Sequence, residues 1–154
     1  NMNRFMKIAN EKAKNGMLDN EGGPFGAVIV DSEGNVIATG NNQVFKNNDP
    51  TAHAEIQAIR NACKKLNTYD LSGYILYTSC EPCPMCFCAI VWANIKEVYY
   101  GATRKDAASI GFRDDALYNY LKGKNSLDIN LVQIDHEECS KLFEKYKENN
   151  GIIY

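Results

Sequence analysis

A chain of 154 residues fits one domain spanning 1–154, and folding at this size buries roughly 70% of the unfolded surface. With 17 Lys and Arg against 19 Asp and Glu the formal net charge is −2, which lacks the basic footprint of a nucleic-acid binder. The sequence has no apolar run near the ~18 residues of a membrane span, and its start has no signal-peptide pattern. These features point to a cytoplasmic protein acting on a small, uncharged molecule. Asn1, ahead of Met2, is given no structural weight.

In chain order, Phe5, Ile8, Ala9 and Ala13 share one face of a helix over about 2–16, stopped at Asn15-Gly16. After the breaker cluster Gly22-Gly23-Pro24, the run from Phe25 to Val30 reads as a buried strand. Turn residues 31–35 return it as a hairpin through Val36–Thr39. Thr51 is the expected N-cap of a helix over 51–66, with Ala52, Ile56, Ile59, Cys63 and Leu66 inward.

A strand follows over Tyr74–Thr78, then a helix that Pro82 opens and that runs to about Asn94. Residues 96–100 give another strand, 101–112 are less regular, and a short helix covers Asp114–Leu121. Leu127–Ile134 is expected as a further strand. Asp135 and Glu138 resemble a capping box for a last helix with Cys139, Leu142, Phe143 and Tyr146 inward. The order predicts a three-layer α/β/α sandwich around a mixed sheet of five strands, with the crossover strands parallel.

Of the six cysteines, four crowd into nine residues: Cys80, Cys83, Cys86 and Cys88. With no secretory signal, such crowding argues for a metal rather than a disulfide framework. Cys63 and Cys139 fall at apolar helix positions and read as buried filler. Cys83 and Cys86, three apart at a helix start, share one face, and the helix N-terminus favours the thiolate that zinc requires. His53 also stands at a helix start that follows a strand. Such starts gather outside the strands' carboxyl ends, where ligands bind in α/β sheets. His53, Cys83 and Cys86 can therefore hold one zinc, leaving a fourth position for water. Glu55, two residues on, is placed as a general base beside that water.

Taken singly, each piece is weak. A lone His-x-Glu is usually surface chemistry, and a lone Cys-x-x-Cys divides evenly between metal and redox roles. Cys80-x2-Cys83-x2-Cys86 superficially matches an iron–sulfur run, but the next cysteine at the required spacing and its following Pro are missing. Two residues beyond Cys86, Cys88 turns about 200° away from the ligand face. Cys80 either supports the site or packs.

Together His53-Ala54-Glu55 and Pro82-Cys83-Pro84-Met85-Cys86 match the pattern His-x-Glu with Pro-Cys-x-x-Cys of zinc nucleobase deaminases. Over nearly its whole length the chain resembles the cytidine deaminase-like superfamily, and within it is similar to bacterial guanine deaminases. The resemblance runs through residues 22–30, Asn41-Asn42, residues 48–55 and residues 77–86. The substrate signal is Asp106-Ala107-Ala108 with Gly111-Phe112-Arg113-Asp114, together with a C-terminus on Tyr154.

The resemblance implies one zinc per subunit, a homodimer, and a C-terminal segment exchanged between subunits to close the partner's site. It implies that Asn42 hydrogen-bonds a purine, that Asp114 and Tyr154 read its edge, and that Ala54 also meets it. Phe25 and Phe112 would supply apolar walls, with Trp92 packed near the pocket. Zinc hydroxide would attack C2 of guanine with Glu55 shuttling protons, giving xanthine and ammonia. An acceptor such as Asp114 suits guanine's adjacent N1–H and N2–H donors. Two positions depart from the family pattern: Arg113 stands where a second acid is expected, and Phe87-Cys88 where an aliphatic residue and Gly are expected.

Two other readings of the motifs are a deaminase of tRNA adenosine, cytosine or a nucleoside, and a zinc-binding module without catalysis. The first, for tRNA, wants a basic rim around a flipped base. The second wants four protein ligands and has no use for Glu55.

Overall fold

The structure, a computed structural model, describes residues 2–154; Asn1 lies outside the described residues. Eleven elements follow one another: α1 (Arg4–Leu18), β1 (Gly26–Val30), β2 (Val36–Asn41), α2 (Val44–Asn47), α3 (Ala54–Leu66), β3 (Ile75–Cys80), α4 (Pro84–Trp92), β4 (Glu97–Ala102), α5 (Arg104–Ser109), α6 (Asp114–Leu121) and α7 (His136–Glu148). Residues up to Lys124 form one unit and Asn125–Tyr154 a second, and each is described by itself.

In the first unit the sheet order is β2-β1-β3-β4. Strand β1 runs antiparallel to both neighbours, and β3 pairs with β4 in parallel. Every residue of β1 is buried, as expected of a strand covered on both faces, which reads as an unbroken apolar run. Alternation sorts its side chains into two layers. Ala27 and Ile29, with Leu76 of β3, pack against Ala54, Ala58 and Ala62 of α3 and Ile90 of α4. Val28 and Val30 pack against Ala9 of α1, with Phe5, Ile75 and Tyr77 at the margin. The side chains of α3 and α1 at the centre of these contacts are alanines, so these helices approach the sheet closely. A Cβ on Gly26 would lie 2.0 Å from the Ala9 carbonyl oxygen.

The α/β/α layering is as predicted, but several boundaries moved for local reasons. Helix α1, capped at its start by Asn3, runs past Gly16 to Leu18, where the Asp19 amide still donates to the Asn15 carbonyl. Thr51 is no N-cap: Asp49 Oδ1 accepts from its amide and its hydroxyl, and His53 holds the cap position of α3. Pro84 opens α4 in place of Pro82, with Cys83 as the cap residue. Helix α5 lies in the stretch 101–112 read as less regular, where Thr103 and Asp106 form a full capping box, and short helix α2 lies in a stretch given no assignment.

In the second unit, residues 127–134 form no strand, and among the described residues the sheet has four strands, not five. A strand needs a hydrogen-bonding neighbour and a cover for its apolar face; here Leu131 is 96% exposed. Asp135 sits at the α7 cap with a positive φ of 54° and makes no side-chain cap bond, so the expected capping box is not formed. Cys139, Leu142, Phe143 and Tyr146 are exposed, because no second layer of this unit covers α7. The C-terminus folds back on α7: Tyr146 donates to the Ile152 carbonyl at 2.6 Å.

Candidate active site

Strands β2 and β3 point the same way, since each is antiparallel to β1. The end of β2, the end of β3 and the start of β1 therefore meet at one margin of the sheet. Asn42 follows β2, Cys80 ends β3 and Phe25 precedes β1. The Asn42 amide donates to the Phe25 carbonyl at 3.0 Å and continues the hairpin into the site. Two helix starts converge on the same margin. His53 and Cys83 are the cap residues of α3 and α4, both with extended backbone. At that position neither side chain follows the helix surface, and each turns across the helix end.

His53 Nδ1 consequently lies 3.5 Å from Cys83 Sγ and 3.6 Å from Cys86 Sγ, with all three donor atoms within 4.8 Å of one another. Zinc bonds of ~2.3 Å to sulfur and ~2.0–2.1 Å to nitrogen, at the tetrahedral angle, put those atoms about 3.5 Å apart. The residues present fit zinc. Their electrostatics agree. Cys86's hydrogen bond and the His53 ring hold the Cys83 thiol well below the usual thiol range. Sharing that bond with Cys83, and burial, push the Cys86 thiol up. His53 is raised by its bond to Cys83. The cluster is short of positive charge, which a divalent cation supplies while releasing the thiol protons.

Glu55 is 6% exposed. Burial pushes its carboxyl up to about 7, with the Cys83 charge adding to the shift. A carboxyl poised there can both take and return a proton near neutral pH. Burial likewise raises Asp114, which begins α6.

In front of these groups lies a cleft of about 370 Å³ including its open mouth. Phe25 and Phe112 wall it, and Asn42, Glu55 and Asp114 supply polar groups. The Asn42 side-chain oxygen accepts from the Val44 amide at 3.0 Å, which fixes this side chain at the cleft margin. A Cβ on Gly22 would sit 2.0 Å from that same oxygen; only Gly lets the chain pass.

Ala54, the first residue of α3, is buried in the core beside the site. Trp92 ends α4, eight residues beyond Pro84 or about 12 Å along the axis; it is 65% exposed and does not wall the cleft. Tyr154 belongs to the second unit. Arg113 precedes Asp114 as the cap residue of α6. Cys88 is exposed, and Cys80 is buried against the cleft with its thiol pushed up to about 12 by burial. The donor atoms that lie together are those of His53, Cys83 and Cys86, and Cys80 is not among them.

Sequence reasoning missed Glu81 and Tyr118. Glu81 lines the cleft, and its Oε1 accepts from the Arg104 amide at 3.0 Å; its place inside the cysteine motif was the available signal. Tyr118 carried none.

Three zinc-type donors with a desolvated carboxylate beside them, at the strand ends of an α/β sheet, define a zinc-dependent hydrolytic enzyme of the deaminase class. The chain belongs to the family described as the cytidine and deoxycytidylate deaminase zinc-binding region, whose profile matches residues 1–102. It is 55% identical to the guanine deaminase of Bacillus subtilis (strain 168) over 148 residues, 96% of this chain and 94% of that one. The X-ray structure of guanine deaminase from Bacillus subtilis superposes with a TM-score of 0.85 at 46% identity, covering 96% of this chain and 95% of that chain. A tRNA-specific adenosine deaminase of Haemophilus influenzae is 38% identical over 133 residues, 84% of this chain and 76% of its own.

Proposed function

We propose that the protein is a guanine deaminase, converting guanine and water to xanthine and ammonia, with His53, Cys83 and Cys86 holding one zinc. The observation that carries this reading is the pairing of a fixed donor with a fixed acceptor across the cleft. Asn42 presents N–H to an acceptor on the base, because its oxygen is engaged by Val44. Asp114 presents a carboxylate to adjacent N–H donors, which guanine offers at N1 and its 2-amino group. The 55% identity to a guanine deaminase over nearly both chains supports the same substrate.

When bound, zinc supplies Lewis-acid activation of water near neutral pH. Phe25 and Phe112 together give the flat base an apolar wall and exclude bulk water from its reacting edge. Glu55 takes the proton released by the attacking water and returns it to the departing amino group, so ammonia leaves and the carboxylate is restored for the next turn. Its pKa of about 7 suits both halves of that task.

The finer architecture belongs to the same proposal: one deaminase domain over 1–154, acting in the cytoplasm as a homodimer, with the C-terminal segment exchanged and Tyr154 reading the partner's substrate. The exposed Leu142 and Phe143 of α7 support a second chain, as does the family resemblance. Light scattering tests the dimer. Ammonia release from guanine, adenine, cytosine and their nucleosides tests the reaction, and silence on guanine overturns it.

Deamination of a base in tRNA is disfavoured by the net charge of −2, since a bound anticodon loop needs phosphate neutralised around the cleft.

A further inference from the structure

Tyr118 stands four residues after Asp114 on α6, so the two side chains share a face one turn apart. Its hydroxyl donates to the Pro82 carbonyl at 2.5 Å, in part-buried surroundings. Pro82 directly precedes Cys83. The α4 ladder begins at the Cys83 carbonyl, which accepts from Phe87 at 2.8 Å, so the Pro82 carbonyl lies outside it and Tyr118 occupies it. Arg104 braces the ring from above, its guanidinium 4.4 Å from the Tyr118 centroid. The same side chain places Nε 3.6 Å from Asp115 Oδ1, while its backbone amide donates to Glu81 Oε1 at 3.0 Å. Residues 81–83, the start of α5 and the helix bearing Asp114 are thereby joined around one phenol ring.

We infer that Tyr118 is a positioning residue: through the Pro82 carbonyl it sets the separation between the Asp114 carboxylate and the His53–Cys83–Cys86 cluster. The inference rests on the reading of Asp114 as the group that holds the base. The reacting carbon must lie where the activated water can meet it, and a shift near 1 Å between holder and cluster costs roughly 10²-fold in rate. The Pro82 carbonyl precedes the first acceptor of the α4 ladder, so a donor from another element fixes it. The hydroxyl, not the ring, is the part that does so.

The test is Tyr118→Phe in the zinc-loaded enzyme, alone and combined with Asp114→Asn, assayed on guanine. The ring and its contact with Arg104 remain in Tyr118→Phe. The expected single variant keeps one zinc per chain and loses about tenfold in kcat/KM, mainly in kcat, because alignment is lost while the cleft walls stay. With Asp114→Asn already present, Tyr118→Phe costs less than about twofold more, since residues acting as a unit do not add. Arg104→Met, which loosens the brace and spares the hydroxyl, gives a smaller loss that Asp114→Asn abolishes in the same way. Wild-type kcat in Tyr118→Phe, a loss of zinc, an effect confined to KM, or losses that multiply in the double variants would each overturn the role. A wild-type enzyme silent on guanine instead overturns the substrate reading, and the positioning role with it.

Discussion

The rings of Phe25 and Phe112 meet edge to face, centroids 5.0 Å apart and planes inclined by 80°. One precedes the central strand and the other follows α5, so this contact joins the sheet margin to the helical cap over the cleft. Edge-to-face pairs contribute about 0.5–1.5 kcal/mol beyond the area they bury. Phe112→Ala is expected to raise KM for guanine about three- to tenfold with zinc content unchanged. Steady-state kinetics and metal analysis check it, and an unchanged KM would show that the pair does not hold the base.

Glu55→Gln removes the proton shuttle while keeping the size of the side chain. Zinc should stay bound, and turnover should fall by at least about 10²-fold, the usual contribution of general acid–base catalysis. Near-normal ammonia release in this variant would place the shuttle elsewhere.

The same variant has a stability signature in zinc-depleted protein. Burial raises the Glu55 carboxyl from 4.5 to about 7, so between those values the folded state holds a proton that the unfolded state has lost. Stability therefore falls as pH rises through that window, and the penalty is complete above about pH 7. Glu55→Gln has no such charge to bury. Its stability should match the wild type below about pH 4.5 and exceed it at pH 8 by up to about 3 kcal/mol at 1.36 kcal/mol per pKa unit, read as a higher melting temperature. Parallel melting curves across the range would contradict this account of burial.

Cys83→Ser replaces a thiolate donor by a weak oxygen donor, and the variant should purify with little zinc and no activity. Chelation of the wild type should lower its melting temperature, and added zinc should restore it, because the ion binds the folded chain in preference to the unfolded one. Differential scanning fluorimetry with and without chelator reads both effects.

Gly22→Ala tests the close passage of the chain at Asn42. A methyl group there meets the Asn42 oxygen at 2.0 Å and its backbone carbonyl oxygen at 2.6 Å. Overpacking of this kind costs about 1–3 kcal/mol, and relief requires Asn42 to turn. The expected result is at least a tenfold loss of kcat/KM with zinc retained; wild-type kinetics would mean that Asn42 does not touch the substrate.

The buried apolar run from Phe25 to Val30 and the period of α1 were legible because they depend on local alternation alone; in α3 the expected Ile59, Cys63 and Leu66 pack only at the margin, and Ala54, Ala58 and Ala62 form the buried face. So was the donor set, since His-x-Glu and Cys-x-x-Cys fix which atoms are available whatever surrounds them. The precise helix starts were not legible. Thr51 and Pro82 carry good local signals for starting a helix, yet Asp49 captured Thr51 and Pro84 took the first turn of α4. The alternating stretch 127–134 carries a strand signal, but a strand exists only where another supplies its hydrogen bonds. For the same reason the inward face assigned to α7 found no layer within its own unit to cover it.

What the sequence alone determined is the chemistry on offer: three zinc donors, one carboxylate beside them and a central apolar strand, all set by residue type and short spacing. Only the tertiary structure decided that His53 and Cys83 each sit at a cap, where the side chain can cross a helix end and bring nitrogen within 3.5 Å of sulfur. It also decided that Tyr118 reaches Pro82, 36 residues away, and that Asn42 lines the cleft with its side-chain oxygen engaged by the Val44 amide. Such contacts depend on where distant segments pack, and local spacing carries no record of that.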